Sequence, residues 1–484
     1  MTARPSPAAI RLVLAIGDGA PPTLAGICRL VAEAGLTGGE WRGYRRTCTV
    51  WDDSDGTLAA AGIDLTMGPN GRAGPVCRLT VADGPVRAAS HAVPAPGAVP
   101  PLAALAAVSR RRLPDAVAAF GRRVTTGRTA ALADDAGRLA VELVAQHDRD
   151  GERRRRRLVL EAPAGAIAAL QALVDRLPLR PTADDLARTD IGTVRIAVTG
   201  ITAGTTAGDA FLATGRAALR QALGNLDRIA ASPDPAPEAI HQFRVAVRRL
   251  RAALGLFRDC LDEDARHALA ASLREVARLF AEARDLDVFA TETLAPLAAA
   301  VGEGADLSPA SAAVAAARTA ARGEIARAVW SPLLARTLLD LVRWFEADEA
   351  PLAGEAGRSV MRHARRALRR RRRRLVAHHT AGPASVEEWH ALRIEAKKLR
   401  YATDAFAALY PPEATRPFVR ALQEVQDCLG RYNDAAVADT LAGRLRLDAP
   451  ATAAIAGWTA RERVAQGERF ARAWRRLRRR RKFW

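Results

Sequence analysis

The stretch HQFRVAVRRLR at residues 241 to 251 returns in altered form as HALRIEAKKLR at residues 390 to 400, a spacing of 149 residues. No other feature constrains the fold as tightly. In an α-helix, which turns about 100° per residue, positions 0, 3, 7 and 10 of either copy fall within an arc of about 80°. One face therefore carries His241, Arg244, Arg248 and Arg251, and the second copy places His390, Arg393, Lys397 and Arg400 in the same way, joined by Tyr401. Arg249 and Lys398, the next cation in each copy, are counted with them. Phe243, Val247 and Leu250, and then Leu392, Ala396 and Leu399, supply the apolar stripe that anchors such a helix. Two amphipathic helices follow, each with a ridge of positive charge.

The duplication is longer than the motif. Arg216 and Arg220 precede His241 by 25 and 21 residues, and Arg365 and Arg369 precede His390 by the same distances. Asp285 follows His241 by 44 residues, as Asp434 follows His390. Landmarks that share one offset mark an internal repeat of roughly 75 residues or more per half.

Charge follows the repeat. The net charge is +20, with 26 Lys+Arg against 20 Asp+Glu up to residue 200 and 47 against 33 after it. A field of this kind recruits polyanions: nucleic acid, anionic membrane or polyphosphate. Lysine occurs only at 397, 398 and 482, so arginine carries nearly all of the charge. A GC-rich genome would produce that bias by itself, but arginine also grips phosphate oxygens bidentately. The five cysteines form no C-x-x-C pair, which points to a reducing compartment with neither a zinc site nor a disulfide framework. The first residues, MTARPSPAAIRLVLAIGDG, make a poor secretory signal, and no segment approaches the roughly 18 apolar residues needed to cross a bilayer. The expectation is a soluble cytoplasmic protein with no membrane insertion.

The chain divides by texture. Up to about residue 195, short β-like runs (IRLVLAI, TCTVW, CRLTV, GRLAVELVAQH, RRRLVLE) alternate with Gly, Pro and Asp turn signals, and helical stretches fall near 22–35, 101–119 and 164–176. This reads as an α+β domain, 1–195, rich in antiparallel strands. Residues 196–208 read as a linker. From 209 to 484 the periodicity is helical, with breaks at SPDPAP, GEGADLSP, AGPAS and YPPEATRP. Two antiparallel helical bundles are expected, one per repeat, over about 209–350 and 358–484.

On these residues the second part resembles the CHAD family, the conserved histidine α-helical domain. The likeness rests on H-x-x-R-V-x-x-R-R-L-R at 241, H-x-x-R-I-x-x-K-K-L-R-Y at 390, ARDLDV at 283–288, LQEVQDCLGRYND at 422–434 and the terminal KFW. It implies two pseudo-symmetric four-helix bundles around a basic central channel, and binding of inorganic polyphosphate. Polyphosphate granules would then be the cellular partner. The first domain resembles the CYTH family, an antiparallel β-barrel or triphosphate tunnel, through VWDDSDGTLAAAGIDL at 50–65 and the late RRRRRLVLEAPAGAIAALQALVDRLPLRP segment. Active members open on E-x-E-x-K, whereas this chain reads IRLVLAI, with Arg11, Val13 and Ala15 on that strand. Arg155, Arg157 and Val159 stand where late-strand glutamates are usual. Without carboxylates a divalent cation has no hard ligands, so the domain is expected to be degenerate and inactive.

Each ridge has a plainer reading as a solvated helix face whose arginines pair with neighbouring carboxylates. Few acids lie on those faces, and the repetition with its family likeness favours an external anion. A histidine at a helix start is often a cap or a packing residue, yet each here sits one turn before an arginine and suits a phosphate contact. Asp285 and Asp434 are expected to position the basic residues or to close a helix end. The sequence thus points to a polyphosphate-binding protein that needs no catalytic residue, metal or cofactor. A CYTH-type metal-dependent triphosphatase and a nucleic-acid-binding protein are the alternatives. Nucleic acid is the weaker partner, because of the ridge residues only Tyr401 offers an aromatic platform for base stacking.

Overall fold

The structure, a computed structural model, describes residues 10–17, 23–33, 37–38, 40–52, 58, 63–69, 75–82, 88–95, 97, 99–109, 113–134, 137–148, 154–162, 170–182, 195, 200–301, 306–346, 349–377 and 385–484. The chain forms two compact units. The first gathers residues 1–196, 219–232 and 327–350, and the second 197–218, 233–326 and 351–484. The boundary between them is therefore not a single point in the chain.

The first unit is built on one antiparallel sheet. Its strands are β1 (Ile10–Ile16), β2 (Thr37–Gly38), β3 (Arg42–Asp52), β4 (Ile63–Pro69), β5 (Pro75–Ala82), β6 (Ala88–Pro94), β7 (Ala118–Asp134), β8 (Gly137–Asp148), β9 (Arg154–Ala162) and β10 (Leu179–Pro181). Helices α1 (Leu24–Glu33), α2 (Leu102–Ser109) and α3 (Leu170–Val174) accompany them. The order is β10-β1-β9-β8-β7-β3-β4-β5-β6, with β2 on β7. This corrects one expectation: among the described residues the sheet is an open path and no closed barrel is formed. Closure would require β10 to pair with β6. But β10 has three residues, and both strands end on proline, which cannot donate to a ladder. The pleat directs Ile63 and Leu65 of β4, and Cys77 and Leu79 of β5, into a core with Leu58, Val93, Ala95 and Leu105. Register sets Arg11 opposite Glu161, Val13 opposite Val159 and Ala15 opposite Arg157. The helix expected over 101–119 stops at Ser109, and β7 begins at Ala118. Of the CYTH-like segment at 50–65, residues 53–57 and 59–62 lie outside the described residues, as do 164–169 of the helix expected over 164–176.

Segments 219–232 and 327–350 join this unit through polar contacts. Buried Arg180 pairs with Asp227, which also accepts from the Thr182 hydroxyl at 2.6 Å. The Gln171 amide donates to Asp340 at 3.0 Å, and the Arg336 guanidinium binds Asp175.

The rest of the chain is helical, and the 149-residue offset recurs in its elements. In the first half run α4 (Ala207–Ala230), α5 (Pro237–Leu256), α6 (Glu263–Leu279), α7 (Ala281–Val288), α8 (Ala295–Val301) and α9 (Ser308–Ala328), followed by α10 (Pro332–Glu346). In the second run α11 (Val360–Ala377), α12 (Val386–Phe406), α13 (Pro412–Arg444) and α14 (Ala449–Arg479). Shifted by 149, α4 falls on α11, α5 on α12, α6 and α7 on α13, and α9 on α14. The short 3-10 turns Arg258–Cys260 and Ala407–Leu409 coincide under the same shift. The halves differ where α13 runs unbroken, since the first half bends at Phe280 and again through a π-helical turn at Phe289–Leu294.

Caps explain the starts. Asp262, Ser385 and Asp448 each accept a hydrogen bond from the backbone N–H three residues on, at 2.9, 3.2 and 2.8 Å. Pro237 and Pro412 occupy first-turn positions, where a missing N–H costs nothing. The YPPEATRP break is shorter than it reads, because Pro417 lies inside α13.

The two halves share an aromatic core. Phe257 and Phe406, equivalent under the repeat, end their helices and meet edge-on, with ring centroids 5.7 Å apart. His363 stacks on Phe257 at 5.1 Å and directs a ring nitrogen at the Leu256 carbonyl, 3.2 Å away. Truncating such a phenylalanine costs about 3–5 kcal/mol. At the C-terminal end Phe470, Trp474 and Leu477 are buried together, as their spacing on one face of α14 requires. Among the described residues, no helix is long and apolar enough to cross a membrane.

Candidate functional site

Helices α5 and α12 carry the two ridges, and α7 and α13 supply the carboxylates behind them. On α5, His241, Arg244 and Arg248 are half-buried, as are Arg393 and Lys397 on α12. Their fields overlap. Lys397 feels Arg393, Arg248 and Arg244, while Arg393 feels Arg248 together with Asp434 and Asp285. The structure thus brings residues of both copies into one cluster.

Burial strains these charges. It is the largest cause pushing the Lys397 ammonium down to about 7, with Arg393 and Arg248 adding to the effect. Burial likewise lowers Arg244, against the attraction of Asp285, and Arg393, against that of Asp434. The His241 imidazole is held low by burial and then by Arg284, with Glu238 opposing. Asp285 is raised by burial, with Arg244 pulling it back and Asp434 raising it further. Hydrogen bonding leaves much of this unsatisfied. An Arg244 Nη donates to the Ala277 carbonyl at 3.3 Å, but the Nε atoms of Arg244, Arg248 and Arg393 are buried with no partner among the described residues. Orphaned buried donors are costly, and an incoming oxyanion would satisfy them. Arg244, Arg248, Arg284, Arg393 and Lys397 stand against Asp285 and Asp434, five cations against two carboxylates.

Asp285 lies within α7 and Asp434 in mid-α13, so they sit beside arginines rather than closing helix ends. His390 is exposed, with Nδ1 3.3 Å from the side-chain oxygen of Asn433, whose amide in turn faces Asp434 at 3.4 Å.

Other ridge candidates lie at the margin. Arg249 looks toward Asp404 and Tyr401, and exposed Arg251 toward Arg274 and Tyr401. Arg400 is engaged by Asp404 at 2.8 Å and Gln423 at 3.4 Å. Lys398 is drawn to Glu395 at 2.5 Å, a carboxylate that also faces Arg371. Arg365 and Arg369 are exposed on α11 and act on the Tyr410 phenol, opposing the rise that burial gives it. Arg216 is half-buried, and Arg220 is exposed in the segment that joins the first unit. The charges dominating at Arg244, Lys397 and Asp285 do not include Arg216, Arg365 or Arg369. The residue that sequence reasoning missed is Arg284. Its signal was its place next to the repeated Asp285, where the second copy has Asn433.

Among the described residues no group of histidine, cysteine, aspartate and glutamate is arranged to hold a metal ion.

Comparison with known proteins bears on the helical part. The crystal structure of the CHAD domain from the plant Ricinus communis matches at 27% identity and a TM-score of 0.51, covering 60% of this chain and 98% of that one. PptA from Streptomyces chartreusis matches at 22% identity and a TM-score of 0.46, covering 56% and 100%. A Hippeastrum protein described as an adenylyl cyclase with a dominant triphosphatase activity reaches 13% identity and a TM-score of 0.24, covering 35% and 89%, too remote to carry an argument. No curated protein matches. The model of the CHAD domain family matches residues 213–443, and the chain therefore carries a CHAD domain.

Proposed function

We propose that this protein binds inorganic polyphosphate through a basic channel lined by the two ridges. One observation carries the reading: half-buried cations from both copies of the repeat converge, the Nε donors of Arg244, Arg248 and Arg393 have no partner among the described residues, and Asp285 and Asp434 are the carboxylates set against them. Polyphosphate is a thin chain of charges without bases. Recognition then runs through oxygens and counterion release, and length preference arises because one chain engages both ridges. Arg244, Arg248, Arg393 and Lys397 form the centre of the site, with His241 and His390 at its flanks and Arg249, Arg251, Arg400 and Tyr401 at its rim. Residues Arg216, Arg365, Arg369 and Lys398 extend the basic surface outward, whereas Arg220 belongs to the segment grouped with the first unit and is not counted with it. The first domain is read as a degenerate relative of the triphosphate-tunnel fold that does not hydrolyse phosphoanhydrides. The test is competition at fixed salt among long polyphosphate, triphosphate, single-stranded DNA and duplex DNA. Long polyphosphate is expected to win, with affinity falling steeply as salt rises; duplex DNA binding equally well at about 0.15 M salt defeats the reading.

A further inference from the structure

The two flanks of the cluster are chemically unequal although the repeat makes them positional equivalents. His241 and His390 correspond, as do Arg244 and Arg393, Asp285 and Asp434, and Glu238 and Glu387. Arg284, half-buried on α7, corresponds to Asn433 on α13. On the second flank Asn433 bridges His390 at 3.3 Å and Asp434 at 3.4 Å, a neutral amide holding a polar chain together. On the first flank the matching residue is a cation. The charges that bear most on His241 all come from its own half: Arg284, Glu238, Arg248 and Arg244. Three arginines thus act on His241 against one carboxylate, Glu238, which also accepts from the Gln242 amide at 2.8 Å.

This difference matters for a polyphosphate because its phosphates are not alike. An internal phosphate carries one negative charge, while a terminal one has a second ionisable oxygen that is charged at neutral to alkaline pH. The more cationic flank suits the doubly charged group, and the amide-bridged flank suits singly charged phosphates in passage. Resting on the polyphosphate reading above, we infer that Arg284 makes the site end-selective, so that the terminal phosphate of the chain is held at the His241, Arg244, Arg248 and Arg284 flank and the chain leaves past His390 and Asn433.

The experiment uses the full chain and polyphosphate of narrow length distribution, either native or with both terminal phosphates capped as neutral-amine phosphoramidates, at one salt concentration and mildly alkaline pH. Native chains are expected to bind about 10-fold more tightly than capped ones, the scale of one charge-assisted contact. Arg284→Asn, which makes the two flanks alike, should abolish that preference, whereas Arg284→Lys should keep it. Arg393→Gln should weaken both forms in equal proportion. Asn433→Arg, which leaves the first flank intact, should strengthen native chains more than capped ones and keeps the test independent of how Arg284 variants fold. Tight binding of both forms with no preference overturns end selection alone. Failure of the unsubstituted protein to bind any polyphosphate overturns the functional reading and this inference with it.

Discussion

Lys397→Met should stabilise the protein while weakening its hold on polyphosphate. The Lys397 ammonium sits at about 7 against a reference of 10.5, pressed down by burial and by Arg393, Arg248 and Arg244, with Asp434 opposing. At 1.36 kcal/mol per pKa unit, that depression of about 3.5 units sets an upper bound of about 5 kcal/mol on the cost of keeping the charge in the folded protein. Side-chain relaxation and water reduce such penalties, and replacing buried charge with an apolar chain of similar size gains about 1–4 kcal/mol. We expect about 2 kcal/mol, or about 4–8 °C in the melting transition of the helical unit. The sign with pH follows from linkage. Because the folded pKa lies below the unfolded one, the unfolded chain binds more protons between about 7 and 10.5, and stability rises with pH through that window. The gain from methionine is therefore fullest below about pH 7 and fades toward pH 10.5. Bound polyphosphate should restore the proton, so its affinity for the unsubstituted protein falls as pH rises from about 7, and more shallowly for Lys397→Met. The assays are thermal melts of both proteins across this pH range and titration with polyphosphate over a salt series. The salt slope should drop by about 0.7 with the loss of one cation. A variant that melts lower, with a difference from the unsubstituted protein that is flat in pH, would refute the reasoning.

Three further outcomes are expected. Arg244→Ala with Arg248→Ala, and separately Arg393→Ala with Lys397→Ala, should weaken long chains more than triphosphate, and the two losses should not add, because a chain freed from one ridge loses the proximity that helped the other; additive and length-independent losses in variants that remain helical by circular dichroism would mean separate surface patches. Incubation with triphosphate and Mg²⁺ or Mn²⁺ should release no phosphate above background, and turnover abolished by a chelator would show a metal site that the β1 sequence does not reveal. Arg400→Ala should cost affinity several-fold less than Arg393→Ala in the same titration, because Asp404 already neutralises Arg400, and equal losses would move Arg400 to the centre of the site.

Sequence alone determined the features set by local periodicity. Apolar positions three and four apart dictated α5 and α12, the offset of 149 residues predicted their equivalence, and the 3.6-residue turn put Arg244 with Arg248 and Arg393 with Lys397 on single faces. Proline-bearing breaks such as SPDPAP and AGPAS lead directly into α5 and α12, since such signals act within one turn. Tertiary structure decided what depends on partners distant in the chain. Lys398 and Arg400 belong to the motif as surely as Lys397, yet Glu395 draws Lys398 away, about 100° round the helix, and Asp404, one turn further along the same helix, neutralises Arg400. Arg284 joins the cluster only because α7 packs beside α5. The open order of the sheet rests on which strands pair across the chain, and the grouping of 219–232 and 327–350 with it on pairings such as Arg180 with Asp227 and Gln171 with Asp340. No periodicity encodes those pairings. Lys397 marks the division most clearly: its identity, its face and its neighbour Arg393 are legible in one turn of helix, but its lowered pKa comes first from burial and is deepened by Arg248 and Arg244 of the other half, which act on it only once the two halves have packed.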